Sequence, residues 1–193
     1  LDGSIQPDQR LSLDVRLLSE DLAVTDALGV RLRTAFGARD ANPLAATGKG
    51  AFQGRVTGLM AAPVFTGHFS GTNVAYLGVS WGAIDWSGSA STVDLKSDRL
   101  TAARGGSRVE MNGVQRLGVA GVDDAMDLTV ALKDWPARDL LRVIESDFAV
   151  ESAVSGTFRL LGTMSRPLGN ARLTSTAGKA AGIAFAQADA KLQ

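Results

Sequence analysis

The stretch that decides the fold is Ala125-Met126-Asp127-Leu128-Thr129-Val130-Ala131-Leu132, in which large apolar residues occupy every second position. Side chains two residues apart share one face of an extended chain, whereas a helix would distribute them round its circumference. The apolar face of this stretch is a simple set: Met126, Leu128, Val130 and Leu132. The stretch therefore predicts a β-strand with one apolar face and one polar face.

The same alternation recurs on both sides of this stretch. Further apolar pairs at a spacing of two are Val79 with Trp81, Phe158 with Leu160, and Ile183 with Phe185. Glycine is frequent, at 22 residues, and it separates short alternating segments, as is typical of β-strands joined by turns. Most connections are too short for parallel crossovers, so we expect antiparallel strands.

Two segments have helical rather than alternating spacing. Apolar residues at positions 137, 140, 141 and 144 predict a short helix over 136–146. Pro136 would occupy its first turn, and Asp134 or Trp135 would cap it. A second helix is expected over 25–36, with Thr25 as its cap.

Composition excludes several function classes. The 20 basic and 20 acidic residues cancel, which argues against a basic face for nucleic acid or for anionic lipid surfaces. There is no cysteine and a single histidine, His68, so disulfides, thiol nucleophiles, thiolate metal sites and sites that need two histidines are excluded. No apolar run is long enough to span a membrane.

The sequence repeats itself at an offset of 104 residues. The positions that coincide are Gly58 with Gly162, Pro63 with Pro167, Thr72 with Thr176, Gly78 with Gly182, and Asp85 with Asp189. Each copy follows one of the predicted helices. We interpret residues 1–20 as the end of a preceding repeat unit, 21–133 as unit one, and 134–193 as a truncated unit two, so that the chain is expected to be a window of a longer array.

Such units cannot each bury an apolar face, so neighbours must stack. The few short helices cannot cover so many strands. We therefore expect a mainly β fold, an elongated antiparallel sheet curled into a trough, with one or two short helices. Exposed apolar surface of that extent usually has a ligand. The expected lining residues are Val79, Trp81, Met126, Leu128, Val130, Leu132, Phe158, Leu160, Ile183 and Phe185.

The placement of glycine and proline residues along the chain resembles that of a known family. Val154–Gly169, with Gly162 and Pro167, is similar to the repeat of the TamB family, and so is Gly54–Gly58 with Pro63. The wider group is the AsmA-like, bridge-type lipid-transfer proteins of Gram-negative envelopes, and the resemblance covers residues 20–193. It implies a β-taco groove in a periplasmic protein that is anchored to the inner membrane by a segment outside this chain. Phospholipid would be the cargo, and an Omp85-type outer-membrane barrel the partner; no cofactor, metal or catalytic residue is implied.

Other functions were weighed on their own residues. Asp123, Asp124 and Asp127 lack ligand spacing, so a solvated turn is favoured over a metal site. No nucleophile accompanies His68, and the three tryptophans fit packing better than sugar stacking. Three functions stay open: a lipid conduit that supports outer-membrane assembly, a structural scaffold for outer-membrane protein assembly with a filled interior, and a carbohydrate-binding β-solenoid. The conduit is preferred, and no enzyme activity is expected.

Overall fold

The computed structural model describes residues 2–5, 10–35, 45–59, 62–91, 93–116, 124–143, 146–163 and 166–192. The strands are β1 (Asp2–Ile5), β2 (Arg10–Ser19), β3 (Thr47–Leu59), β4 (Ala62–Tyr76), β5 (Val79–Ala90), β6 (Asp94–Arg104), β7 (Ser107–Arg116), β8 (Ala125–Pro136), β9 (Val150–Glu151), β10 (Ala153–Thr163), β11 (Pro167–Ala180) and β12 (Ile183–Leu192). The helices are α1 (Leu22–Ala35), after β2, and α2 (Ala137–Val143), after β8.

All the strands belong to one antiparallel sheet. Eleven of them follow each other in chain order from β1 to β12, and the two-residue β9 pairs separately with β11. Within the described residues β1 and β12 do not pair with each other, so the sheet is open at both edges. The predicted fold class is confirmed: a mainly β chain, an elongated antiparallel sheet that is curled, and two short helices.

A row of glycines crosses the sheet on one face. Gly54 of β3, Gly67 of β4 and Gly88 of β5 are successive register partners, and Ser97 of β6 continues the row to Gly113 of β7. A Cβ on any of these glycines would collide with a backbone oxygen of the next strand; on Gly88, for example, it would meet the Lys96 carbonyl. Because glycines at such positions let a sheet bend sharply, this row accounts for the inward curl of the strands.

The opposite face of the sheet is polar and is crossed by ion pairs. Asp14 and Arg55 are register partners on β2 and β3, and their side chains meet at 2.8 Å. Arg159 of β10 holds both carboxylate oxygens of Asp127 on β8, at 2.9 and 2.8 Å. At least half of each of these side chains is exposed to solvent, so the pairs add little stability. Each pair places opposite charges on neighbouring strands, and this favours the observed pairing of those strands.

A bulge near the end of β8 breaks the alternation. Asp134 has φ of +49°, its amide donates to Ser155 Oγ at 2.9 Å, and its carbonyl accepts from Ser107 Oγ at 2.6 Å. The β8–β10 register shifts at the same place. As a result Trp135 packs in the same buried cluster as Leu132, three residues earlier, which an unbroken strand would not allow.

Both helices exist, but their first residues differ from the sequence predictions. Helix α2 begins at Ala137, so Pro136 ends β8 instead of opening the helix, and Asp134 lies in the bulge rather than at a cap. Helix α1 begins at Leu22, and the cap is Asp21, whose Oδ1 accepts from the Ala23 amide at 2.9 Å. The prediction of Thr25 as the cap is wrong. The part of the α2 prediction on 144–145, and Phe36, lie outside the described residues.

The offset of 104 residues is matched in the backbone. Gly58 pairs with Pro63, and Gly162 pairs with Pro167. The unusual positive φ angles also correspond, at Asn73 with Ala177, Leu77 with Ala181, and Gly78 with Gly182. Strands β3, β4 and β5 therefore have their counterparts in β10, β11 and β12. The division of the whole chain into repeat units stays a prediction.

Candidate functional site: an apolar trough

The concave face of the sheet carries an unbroken apolar row across nine strands. Register partners from β2 to β11 run in this order: Leu17, Phe52, Phe69, Trp86, Leu100, Met111, Val130, Phe158 and Ala171. At about 4.8 Å between strands, the row is roughly 38 Å long. It lies on the same face as the glycine row, because both sets of residues alternate along the strands with the polar residues of the outer face.

Aromatic rings in this row rest on glycines. A Cβ on Gly50 would come within 2.6 Å of the Phe69 ring, and one on Gly71 within 3.0 Å of the same ring. Phe52 covers Gly54 and Gly67 in the same way, at 2.9 Å from each Cβ position. The missing side chains therefore give the rings room to lie against the sheet, which keeps the floor of the trough smooth and apolar.

Part of this face is open. A depression of about 370 Å³ lies over β4, β5 and β6, and it is lined by six apolar residues: Phe69, Ile84, Trp86, Ala90, Leu95 and Leu100. The only polar group of these side chains, the Trp86 indole N–H, is turned to Ser97 Oγ at 2.9 Å. At its mouth, Phe65 is the register partner of Ala90 and is 41% exposed. The depression is therefore an accessible surface for an apolar ligand.

The other part of the face is closed by α2 and two tryptophans. Trp81 on β5 stacks on Trp135 near the end of β8, with ring centroids 5.5 Å apart. Strands β6 and β7 lie between these residues, which would separate the backbones by about 14 Å on a flat sheet. The stack thus spans two strands across the curl. Trp135 is fully buried, as is Ala102 beneath this cluster.

Arg104 fastens α2 to this cluster. Its guanidinium lies over the Trp135 ring at 5.1 Å, donates to the Ser80 carbonyl at 2.5 Å, and donates to Asp139 Oδ2 at 2.5 Å. The Asp139 side chain is only 5% exposed. A buried carboxylate needs such a partner, so Arg104 holds the helix over the closed part of the trough.

None of the predicted lining residues lines the open depression, and five of the ten belong to the closed part. Val79, Val130 and Leu132 are in the buried cluster, and Trp81 and Phe158 pack against it. Met126 is buried, and the half-buried Leu128 and Leu160 are register partners beside the apolar row. Phe185 is half-buried near Gly178, and Ile183 is 75% exposed at the start of the edge strand β12; neither belongs to the cluster.

Several important residues were not singled out from the sequence. Phe69, Trp86 and Leu100 line the open depression, and Trp135 anchors the closed part. The available signal for the first three was the alternation of aromatic residues with glycine, as in Phe69-Ser70-Gly71 and Trp86-Ser87-Gly88. Only the register shows that they are neighbours.

Other candidate groups lie on the polar face. His68 Nε2 is 2.7 Å from Asp85 Oδ2 on the neighbouring strand, and both side chains are about half exposed. Arg159 lowers the pKa of Asp127 through its hydrogen bond and its charge, and Lys49 lowers the pKa of Glu20 in the same way. Asp123 lies outside the described residues. Among the residues that are described, no group of three or more His, Cys, Asp or Glu side chains is arranged to hold a metal ion.

Fold and face together define an open, curled antiparallel sheet with an apolar concave side and a polar convex side. Comparison of this chain with protein-family models, with curated proteins and with solved structures gives no match. Across the described part of the chain, none of the helices combines the length and the apolar character needed to cross a membrane.

Proposed function

We propose that the trough binds the acyl chains of phospholipid and forms a segment of a lipid conduit, without catalysis. The observation that carries the proposal is the open depression at Phe69, Trp86 and Leu100, which continues into an apolar row about 38 Å long. An acyl chain needs a long apolar surface and no specific polar contact. Its head group would remain in water beyond the rim of the trough.

The strength of such binding follows from the area that is covered. Full burial of one CH₂ contributes about 0.8 kcal/mol, and a trough that is open on one side buries about half of each group. A chain of sixteen carbons would therefore gain about 6 kcal/mol. Association costs several kcal/mol of this gain. The result is weak binding along a uniform surface, which suits a ligand that must slide.

The cellular setting is a further part of the proposal and depends on the resemblance to the TamB family. By that resemblance the trough belongs to a periplasmic protein anchored to the inner membrane outside this segment. It would carry phospholipid between the two membranes, support outer-membrane assembly, and work with an Omp85-type barrel. The open part of the apolar row, from β3 to β6, supports a conduit of this kind, because cargo can pass there from one strand to the next.

A scaffold for outer-membrane protein assembly is the second candidate, and one observation favours it. The interior under α2 is filled: Trp135 and Ala102 are 0% exposed, and Val79 is 1% exposed. If the open depression is also filled when the chain is in its natural setting, the sheet would serve as a rigid spacer and would have no room for lipid.

Crosslinking at two adjacent residues distinguishes the candidates. Phe65 and Thr66 are both exposed, but they face the concave and the convex side respectively. With a benzoylphenylalanine at each position and phospholipid vesicles as the source of lipid, illumination should attach phospholipid at position 65 and not at position 66. Equal labelling at both positions would mean nonspecific contact, and no labelling at either would favour the scaffold.

A charge on the floor of the trough gives a second test. Leu128 is half-buried on the concave side, and Thr129 is exposed on the convex side. Leu128→Asp should reduce phospholipid crosslinking from position 65 severalfold, because an acyl chain would then have to desolvate a carboxylate. Thr129→Asp should leave it unchanged. The conduit proposal fails if both variants retain full labelling while circular dichroism shows that both are folded.

A further inference from the structure

The open depression is longer than it is wide, and its long axis runs along the strands. Its lining extends on β5 from Ile84 to Ala90, and on β6 from Leu95 to Leu100. At about 3.3 Å per residue, the distance along β5 from Ile84 to Ala90 is about 20 Å. Across the strands the depression reaches only from β4 to β6, which is about 10 Å. A chain-shaped ligand therefore fits the depression when it lies along β5.

One end of the depression opens at the rim of the sheet. Ala90 is the last residue of β5. Its partner on β4, Phe65, is 41% exposed, and Val93, in the turn that follows β5, is 36% exposed. Ser91 holds this turn in shape, because its Oγ accepts hydrogen bonds from the amides of Val93 and Asp94 at 3.1 and 3.0 Å. This end is therefore an apolar mouth.

The other end of the depression is closed by packed side chains. Ile84 lines the depression and also packs against the buried cluster, so it lies at the boundary between the two. Its register partner Ala102 is completely buried. Beyond Ile84, towards the start of β5, Trp81 stacks on the buried Trp135. An apolar chain that enters at the mouth therefore meets a wall at Ile84.

We propose that Ile84 is the end wall of an acyl-binding site and limits the chain that this site accepts to about sixteen carbons. An extended hydrocarbon chain advances about 1.25 Å per carbon, given bonds of about 1.5 Å and angles of about 111°. About sixteen carbons thus cover the distance of about 20 Å from mouth to wall. The head group lies beside Phe65 and Val93, and the terminal methyl group lies against Ile84. This inference rests on the proposed binding of acyl chains and adds an orientation and a chain length to it.

The site selects the length of the chain because carbons beyond the wall have no apolar surface to cover. Each half-buried CH₂ should raise the affinity about twofold, and this gain should stop at about the sixteenth carbon. The indole nitrogen of Trp86 is turned to Ser97, so the lining offers no free polar side-chain atom to a head group. The acyl chain rather than the head group is therefore selected.

Two photoreactive lipids test the orientation. Lysophosphatidylcholine below its critical micelle concentration is the probe, because it presents a single acyl chain. One palmitoyl probe carries a diazirine near the carboxyl group and the other carries it near the methyl end, and mass spectrometry identifies the labelled peptides of the 193-residue chain. The first should label residues near Phe65 and Val93, and the second should label residues near Ile84 and Ala102. The same labelling by both probes, or the reverse order, would overturn the proposal. No labelling by either probe would count against acyl binding itself and thus against the proposed function.

Competition for the methyl-end probe measures the effect of chain length. Unlabelled lysophosphatidylcholines of twelve to eighteen carbons should compete about fourfold better for every two carbons added, up to sixteen, and equally well at sixteen and eighteen. Ile84→Ala should move this break to eighteen carbons, and Ile84→Phe should move it to fourteen. Leu95→Ala, at the mouth of the same depression, is the matched control: it should weaken every competitor by a similar factor and leave the break in place.

Circular dichroism and tryptophan fluorescence establish which variants are folded, and the two opposite substitutions of Ile84 keep the test decisive if one of them does not fold. The proposal is overturned if competition by the unaltered chain's ligands keeps improving beyond sixteen carbons, or if the break stays in place in a folded Ile84 variant. In either case labelling by the probes would still support acyl binding, so the wall can fail while the proposed function stands.

Discussion

Removal of the Arg104 side chain should destabilise the whole sheet, because this residue joins β6 to α2 across the curl. Arg104→Ala leaves the Asp139 carboxylate, 5% exposed, without its close partner. Arg138 is the remaining cation, at 3.9 Å. The variant also removes the cation that lies 5.1 Å from the Trp135 ring. The substitution thus leaves the buried carboxylate of Asp139 without its main partner and uncovers one side of the buried Trp135 indole.

The magnitude follows from these two losses. Breaking a buried ion pair by removing one partner costs about 3–5 kcal/mol, and the weaker contact with Arg138 reduces this figure. Loss of a desolvated cation–π contact adds about 1 kcal/mol. We expect Arg104→Ala to lower the free energy of unfolding by about 3 kcal/mol. With a urea m-value of about 2 kcal/mol/M, the midpoint of unfolding should fall by about 1.5 M.

Urea unfolding followed by tryptophan fluorescence measures this change, since Trp81 and Trp135 report directly on the cluster. The matched control is Arg159→Ala, which breaks an ion pair of the same type whose members are about half exposed; its midpoint should not move measurably at neutral pH. Combining Arg104→Met with Asp139→Leu should recover most of the lost stability, since no charge is left buried. If Arg104→Ala and Arg159→Ala shift the midpoint equally, the reasoning about the closed end of the trough is wrong.

Three further predictions concern the sheet, an ion pair and a helix cap. Gly88→Ala places a Cβ against the Lys96 carbonyl and should cost about 1–3 kcal/mol by urea unfolding, whereas Gly106→Ala, with open space around its Cβ, should be close to neutral; equal effects would refute the role of the glycine row. The pKa of Asp127 is held below its ordinary value of 3.8, so its contribution to stability is complete above that value and is lost as the pH falls through the lowered pKa. Arg159→Ala should therefore raise the Asp127 pKa in an NMR titration, and an unchanged pKa would show that the pair is absent in solution. Asp21→Ala removes the cap of α1 and should cost about 1 kcal/mol, visible as faster amide exchange in α1, while exchange in β7 should not change.

Much of the fold could be predicted from the sequence because polar and apolar residues alternate clearly along a strand that has one solvent-exposed face. The alternation from Met126 to Leu132, the helical spacing after Pro136 and the proline–glycine punctuation each depend on neighbours in the chain. The conformation at Gly78 and Gly182 is likewise local, and this pair is one of those that reveal the offset of 104 residues in the sequence. Local signals also have a limit: one hydrogen bond to Asp21 decides where α1 begins, whereas the sequence pattern placed the cap at Thr25.

The site was predicted less completely because its parts come from different strands. The alternation alone could not show that Trp135 faces the interior, since the bulge at Asp134 depends on Ser155 and Ser107 from other strands. Nor could it show that Phe69, Trp86 and Leu100 are neighbours, since each lies on a different strand and only the register joins them. Asp139 is a buried charged residue, but the sequence alone predicts an ordinary exposed position on a helix.

The curvature of the sheet and the smoothness of its floor have one physical origin. Where Gly54, Gly67 and Gly88 leave out a Cβ, the strands can bend inward, and the same gaps are filled from above by the rings of Phe52 and Trp86. Rings that fill these gaps leave no ridge between the strands, so an apolar ligand meets a continuous surface over the open part of the face, from β3 to β6. Substituting alanine for the glycines would therefore change two properties together, the depth of the trough and the texture of its floor. A conduit and a filled spacer both have a deep, curled sheet, but only a conduit requires a smooth floor.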